Sequence, residues 1–320
     1  MTPRHRSIPV LAAVALLLLV ACAKTPEATD PSRATATASA SGANAVPSPP
    51  ATARPSAAPP RSRPAYTSIV SAAGVRQWLS CAGPGSLTLV VVPGLAASAM
   101  SWSTVLPALR RVVRTCVYDR PGLGRSPPRP DRRAVVDAGG LARELWALLR
   151  TAGEDGPYVV LGHSFGGLVA RAFVAEHRSA VDGVLLVESV TPGDPTLPRY
   201  WTEAGHAVDL VASAAAAGGG PPLGSTPLVV LSASEPDRDH LGGPPYGQPG
   251  WMTALWRTQQ RDDLRLSTAS VQVVAHAGHV VQQDDPAAVA LAVRVLVRAV
   301  LARAAPSCEA PWSLVGASCR

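Results

Sequence analysis

The sequence predicts an α/β domain with a mostly parallel central sheet of about eight strands and helices on both faces. Short apolar runs alternate with segments of helical periodicity between residues 65 and 305, a length that suffices for one substantial core. The later runs are apolar at every position, which is typical of parallel strands covered by helices on both sides. The first two are expected to pair as an antiparallel hairpin at the sheet edge. The runs comprise residues 66–70, 75–80, 87–92, 112–118, 158–161, 181–187, 228–231 and 271–274.

The amino terminus has the pattern of a secretory signal. Arg4 and Arg6 precede an apolar run over residues 8–20, which is short for a membrane span. The run leads into Ala21-Cys22, which resembles the lipobox of bacterial lipoproteins. We therefore expect residues 1–21 to be removed, and Cys22 to carry acyl chains that anchor an extracytoplasmic protein to the cell membrane. Without lipidation the protein is expected to be secreted.

Composition separates a tether from the folded domain. Residues 23–64 are mainly Ala, Thr, Ser and Pro, with almost no large apolar side chain. Such a segment cannot bury enough surface to offset its ordering entropy. Residues 22–64 are therefore predicted to form a lipidated Cys22 followed by a disordered, partly extended tether.

The formal net charge of +7 comes mostly from arginine. These arginines are scattered along the chain and are not interleaved with aromatic residues, so the charge indicates a solvated surface and no nucleic-acid interface. The sequence has no cluster of residues with metal-ligand spacing, and neither a metal nor an organic cofactor is expected.

One stretch has the pattern of a strand, a sharp turn and a helix. An apolar run leads into Gly162-His163-Ser164-Phe165-Gly166, and a helical pattern follows. Gly162 and Gly166, two positions before and after Ser164, allow the strand and the helix to cross closely. The strained turn exposes the serine hydroxyl. The stretch resembles the nucleophile elbow of the α/β-hydrolase superfamily.

Further motifs match this superfamily in the same chain order. Pro93-Gly94-Leu95 follows the third run where the family commonly has His-Gly-X, so the resemblance assigns oxyanion-hole amides to Leu95 and Phe165. Proline in place of the histidine leaves open what braces this loop. Asp119 and Arg120 open a glycine-rich stretch of the family, and we interpret both as structural braces of nearby loops.

The resemblance also identifies a catalytic base and several candidate acids. His279 follows the last run and precedes a long helical pattern, where the family keeps its base, whereas His276 belongs to the strand end. Asp237 follows the next-to-last run and is the preferred acid, in the family order Ser, Asp, His. Glu188, directly after the run that follows the elbow, and Glu235 remain alternatives.

The mature chain is expected to retain Cys22 and four further cysteines, which should pair outside the cytoplasm. Cys308 and Cys319 bracket a short tail over residues 306–320, and their bond would close a local loop. The strands of Cys81 and Cys116 are sheet neighbours in the superfamily, so the resemblance favours Cys81–Cys116 as the second pair.

The resemblance implies a serine hydrolase that cleaves an ester, or an amide, of a small or lipid-like substrate through an acyl-enzyme. Residues 65–305 form the hydrolase domain, and residues 191–226 are long enough for a cap insertion. An acyltransferase, a peptidase and a cofactor-free haloperoxidase-like enzyme use the same fold. A tethered binding protein with a vestigial site is the alternative of another class.

The lipobox generates a prediction. Cys22→Ser removes the sulfur that would carry the acyl chains, so the protein should move from the membrane fraction to the soluble extracytoplasmic fraction. Fractionation with immunodetection measures this. Unchanged membrane retention would rule out lipid anchoring.

Overall fold

The computed structural model describes residues 63–235 and 250–320. Within this part of the chain, nine strands form one sheet in the order β1-β2-β4-β3-β5-β6-β9-β10-β11, and β7 and β8 form a separate hairpin. The strands are β1 (Tyr66–Ala72), β2 (Val75–Ala82), β3 (Thr88–Val92), β4 (Arg114–Asp119), β5 (Tyr158–His163), β6 (Val181–Val187), β7 (Tyr200–Glu203), β8 (His206–Asp209), β9 (Leu228–Ala233), β10 (Ser270–Ala275) and β11 (Ser318–Cys319).

Each of the eight predicted runs overlaps a strand of the large sheet. Strands β4, β3, β5, β6, β9 and β10 pair in parallel, whereas β1 and β2 form the expected antiparallel hairpin at one edge. The sequence analysis missed β11, which pairs antiparallel with β10 at the other edge. A strand of two residues has no periodicity for sequence reasoning to detect.

Helices cover both faces of the sheet. The helices are α1 (Leu106–Val112), α2 (Ala138–Thr151), α3 (Phe165–Glu176), α4 (Leu210–Gly218), α5 (Trp251–Asp262), α6 (Val281–Asp284) and α7 (Pro286–Ala302). Tyr158 and Val160 of β5 pack in the apolar cluster of α2 and α3, while Val159 and Leu161 pack in the cluster of α1 and α7. Because successive strand side chains point to opposite faces, a strand covered on both sides must be apolar throughout.

The start of α7 is specified by its sequence. The Asp285 side chain accepts a hydrogen bond from the Ala288 amide at 2.9 Å, and Pro286 occupies the first turn. A capping carboxylate and an early proline both favour a helix start. This fixes the length of the loop between β10 and α7, which contains His279.

The segment between β6 and β9 contains the β7–β8 hairpin and α4. The Ser213 hydroxyl of α4 accepts from the Ala138 amide at the start of α2, at 2.9 Å. Val136 forms a bridge with Val208 of the hairpin. The hairpin and α4 are thus both attached to the chain around the start of α2.

Two disulfide bonds join the cysteines of the described residues. Cys81 and Cys116 are register partners on β2 and β4 and are both buried. Cys308–Cys319 closes the tail at β11, where Gln272 and Arg320 exchange backbone hydrogen bonds. Neighbouring antiparallel strands bring the first two sulfurs together, while the second bond holds the added strand in place.

Most of the predicted leader lies outside the described residues, including residues 1–21, Cys22 and the tether to residue 62. Its last two residues are held by the domain. Arg114, almost fully buried, donates to the carbonyl oxygens of Arg63 and Pro64 at 3.1–3.3 Å and pairs with Glu154 at 2.6 Å. Among the described residues, no helix has the length and apolar character that crossing a membrane requires.

The Cys81–Cys116 bond generates a prediction. It links residues 35 positions apart, so replacing both cysteines with alanine should lower the free energy of unfolding by about 2–4 kcal/mol. Removing Cys308–Cys319, with a separation of 11, should cost less, because the shorter loop constrains the unfolded chain less. Denaturant unfolding measures both. Recovery of Cys81 and Cys116 as free thiols from the native protein would contradict the pairing.

Candidate active site

Ser164 occupies the sharp turn between β5 and α3. Its backbone has φ 52° and ψ −126°, a conformation that residues with side chains rarely adopt and that marks functional turns. A Cβ at Gly162 would lie 2.5 Å from the Gly166 carbonyl oxygen, and one at Gly167 would lie 1.8 Å from Ser189 Oγ. Glycines are therefore required where the helix crosses the strands, as the motif predicts.

His279 lies on the loop between β10 and α6. Its Nε2 is 3.0 Å from Ser164 Oγ. The His163 Nε2–H donates to the His279 carbonyl oxygen at 2.9 Å, and the Gly278 amide donates to Asp284 at 2.9 Å. The loop that carries the imidazole is thus held by hydrogen bonds at the Gly278 amide and at the His279 carbonyl. His276 is exposed, directly after β10, and its Nδ1 lies 3.4 Å from Ser234 Oγ.

The carboxylate beside His279 in the described residues is that of Glu188. It directly follows β6, is fully buried, and its Oε2 lies 3.4 Å from His279 Nδ1. This is long for a charge-assisted hydrogen bond, and catalytic hydrogen bonds often tighten only when substrate binds. The Glu188 backbone has φ 43°, a second strained position at the same site.

Two donors hold the Glu188 carboxylate. The Ala233 amide, at the end of β9, donates to Oε1 at 2.7 Å, and the Trp256 indole N–H of α5 donates to Oε2 at 2.7 Å. The Trp256 ring also contacts His279 edge-on, with centroids 5.9 Å apart. Trp256 was not predicted from the sequence, because its position in a helical pattern does not reveal its contact with Glu188, 68 positions away.

The other candidate acids have different placements. Asp237, the preferred acid of the sequence analysis, lies outside the described residues and stays a prediction. Glu235 is exposed, and its backbone amide donates to the Ala277 carbonyl oxygen at 3.2 Å. Of the two candidates that the structure describes, Glu188 is the one that lies beside His279.

The predicted oxyanion amides flank the serine. Phe165 is the first residue of α3, where an N–H has no acceptor within its helix. In the described part of the chain, the Leu95 amide has no hydrogen-bond acceptor. A Cβ on the neighbouring Gly94 would lie 3.3 Å from Ser164 Cβ, so this loop is in contact with the elbow.

Arg120 braces the loop that lacks the family histidine. Its guanidinium donates to the carbonyl oxygens of Pro93 at 2.8 Å and Gly94 at 2.5 Å. Asp119 accepts from the Ala99 amide at 2.6 Å, shortly after the same loop. The structural roles predicted for Asp119 and Arg120 match these contacts.

Glu203 lies on the β7–β8 hairpin of the predicted cap insertion, called the cap hairpin below, and it neutralises Arg120. The two side chains form two hydrogen bonds of 2.6 and 2.7 Å, and both are almost fully buried. Burial alone would raise the pKa of Glu203, but the charge and hydrogen bonds of Arg120 outweigh it, so this pKa lies below its usual range. Glu203 is therefore ionised at neutral pH. Glu203 was not predicted from the sequence, since nothing in its local pattern links it to Arg120.

The fold and the site together define a class of protein. A family model described as the alpha/beta hydrolase fold matches residues 88–214, which include β3, the elbow and most of α4. The order of strands and the turn at Ser164 are those of this fold. The chain therefore has the α/β-hydrolase fold.

Individual proteins resemble parts of the chain. A vacuolar membrane protein of Saccharomyces cerevisiae is 40% identical over 92 residues, which span 28% of this chain and 14% of the yeast protein. The structure of an esterase from Thermogutta terrifontis has a TM-score of 0.55 at 20% identity, covering 74% of this chain and 99% of its own. A haloalkane dehalogenase from Bradyrhizobium elkani has a TM-score of 0.55 at 16% identity, with 75% and 100% covered. At such identities these structures share the fold alone.

Proposed function

We propose that the chain is a serine hydrolase that cleaves ester bonds through an acyl-enzyme, with Ser164 as nucleophile, His279 as general base and Glu188 as the acid. The observation that carries the proposal is the chain of contacts from Ser164 Oγ to His279 Nε2, 3.0 Å, and from His279 Nδ1 to Glu188, 3.4 Å. A nucleophile within reach of a base, and a base oriented by a third group, is the arrangement that activates a weak hydroxyl nucleophile.

The reaction follows from these positions. The Ser164 hydroxyl gives its proton to His279 Nε2 as its oxygen attacks the ester carbonyl carbon. The Leu95 and Phe165 amides donate to the oxyanion, and His279 then protonates the leaving alcohol as the C–O bond breaks. Water repeats the sequence on the acyl-enzyme, which releases the acid and restores Ser164.

Glu188 has the environment that the acid of such a triad requires. Its task is to hold the imidazole in the tautomer with a proton on Nδ1 and to stabilise the imidazolium. The Ala233 amide and the Trp256 indole keep the carboxylate aimed and satisfy its charge in a buried position.

Serine at the elbow favours acyl chemistry over the other reactions of the fold. Dehalogenase and epoxide-hydrolase branches of the superfamily use aspartate at this position, whereas this chain has Ser164. The esterase of similar fold is consistent with ester substrates. With Cys22 lipidated, the enzyme would act at an extracytoplasmic membrane face on small or lipid-like esters.

Ser164→Ala tests the function. The variant should lose hydrolysis of p-nitrophenyl esters of graded chain length, together with covalent labelling by a fluorophosphonate, because the hydroxyl that forms the acyl bond is removed. Its thermal unfolding should stay close to that of the wild type. His279→Ala should behave likewise, with His276→Ala as the control that retains activity. Substantial turnover by pure Ser164→Ala would refute the mechanism.

A pair of isosteric variants tests the acid. Glu188→Gln should lower kcat by about 10³–10⁴-fold, because the amide no longer stabilises the imidazolium or selects its tautomer. Asp237→Asn should cost less than about tenfold, roughly 1.4 kcal/mol of transition-state stabilisation, and Glu235→Gln should be nearly silent. Steady-state kinetics on folded protein decide between them. The opposite ranking of Glu188→Gln and Asp237→Asn would make Asp237 the acid.

A further inference from the structure

One buried ion pair contacts both the cap hairpin and the loop at residues 93–96, which carries the Leu95 amide. Arg120, at the end of β4, is 1% exposed, and Glu203, at the end of β7, is 5% exposed. Each partner also contacts the loop at residues 93–96: Arg120 through two carbonyl oxygens, and Glu203 through the Ala96 amide at 2.7 Å. The pair is thus part of the loop's hydrogen bonding as well as a contact between two segments.

Because the peptide unit is planar, these contacts affect the direction of the Leu95 N–H. The Gly94 carbonyl and the Leu95 N–H belong to one peptide unit, and in a planar trans unit they point in opposite directions. Arg120 holds this carbonyl at 2.5 Å. The Ala97 amide also donates to this carbonyl, at 3.2 Å. The guanidinium and this turn together therefore set the direction of the Leu95 N–H. The same cation polarises the peptide, which strengthens its N–H as a donor.

Glu203 sets the position of Arg120. Its two carboxylate oxygens bind the guanidinium in a bidentate arrangement, which fixes the plane of the fork. Oε2 also accepts from the Ala96 amide, so the peptide unit after Leu95 is held by the same ion pair. The hairpin that carries Glu203 is itself fixed to the body of the domain, where Val136 exchanges backbone hydrogen bonds with Ala207 and Asp209 at 2.9 and 2.8 Å.

We propose that Glu203 is a positioning residue through which the cap hairpin assembles the oxyanion hole. The hairpin supplies the carboxylate, the carboxylate orients Arg120, and Arg120 aims the Leu95 amide at the developing oxyanion. Full stabilisation of the transition state thus requires the cap hairpin to be packed against the domain, with Glu203 bound to Arg120. The inference rests on the proposed function, because the role of the Leu95 amide comes from it.

A second buried ion pair provides a matched control. Arg114 and Glu154 are each 2% exposed and pair at 2.6 Å, but their partners lie at the start of the domain, at Arg63 and Pro64. Glu154→Gln removes a buried carboxylate just as Glu203→Gln does. Both variants should lose stability, because each leaves a buried guanidinium without its counter-charge. Only Glu203→Gln should change the chemistry of the folded fraction.

Kinetics with a transition-state analogue separate positioning from stability. Glu203→Gln should lower kcat by about 10- to 100-fold, less than the loss of a whole oxyanion donor, with KM within about threefold. A trifluoromethyl ketone, whose adduct with Ser164 carries an oxyanion, should bind more weakly by a similar factor. Glu154→Gln should change neither. Equal kcat and inhibitor affinity in folded Glu203→Gln and wild type would overturn the proposal.

A double variant provides a test if Glu203→Gln does not fold. Replacing both Arg120 and Glu203 with methionine leaves no unpaired buried charge, a change that folded proteins often tolerate. It should show the same loss of kcat and faster amide hydrogen exchange in a peptide covering residues 93–99. The exchange experiment does not depend on enzymatic activity. An inactive wild type would therefore refute the proposed function, while exchange would still test whether Arg120 and Glu203 hold the loop at residues 93–96. Wild-type exchange over residues 93–99 in the double variant would overturn the inference.

Discussion

The parallel alignment of β3, β5, β6 and β10 is the constraint on which the candidate site depends. Parallel strands end at the same edge of a sheet, so the loops after them meet. Ser164 follows β5, Glu188 follows β6 and His279 follows β10, while Leu95 lies on the loop after β3. Groups up to 184 positions apart along the chain thus lie together, because His279 and Leu95 both follow strands of one sheet. A slip of one strand by one residue would turn its end residue to the other face.

The site concentrates unfavourable features that the surrounding structure has to support. Ser164 and Glu188 both have positive φ values, each costing roughly 1–3 kcal/mol. Glu188 and the Arg120–Glu203 pair also place charge in the interior. Each buried charge is met by aimed donors or acceptors, and the apolar clusters on both faces of the sheet supply the stability that these arrangements consume. Phe165 and Trp256 belong both to the site and to one of these clusters, so the site is continuous with the core.

Sequence reasoning worked where the signal is local. The elbow at Ser164 is a continuous motif, and the apolar runs report strands because both faces of the sheet are covered. The acid could not be chosen by such reasoning, since Glu188 and Asp237 both follow strands and the choice depends on loop conformation. Glu203 and Trp256 were not found, because each acts through a contact with a residue distant in sequence. Their positions depend on how the hairpin and α5 pack.

Residues 63 and 64 attach to the domain at the edge of the sheet that is remote from the site. Arg63 contacts Thr88, the first residue of β3, and Glu154, shortly before β5, while Arg114 begins β4. The chain therefore enters the domain at the amino ends of the strands, whereas Ser164 lies beyond their carboxyl ends. Strands of five to seven residues separate these two edges by roughly 20 Å. A pull on the amino-terminal segment would load the edge remote from Ser164, so the force would not act first on the loops that form the site.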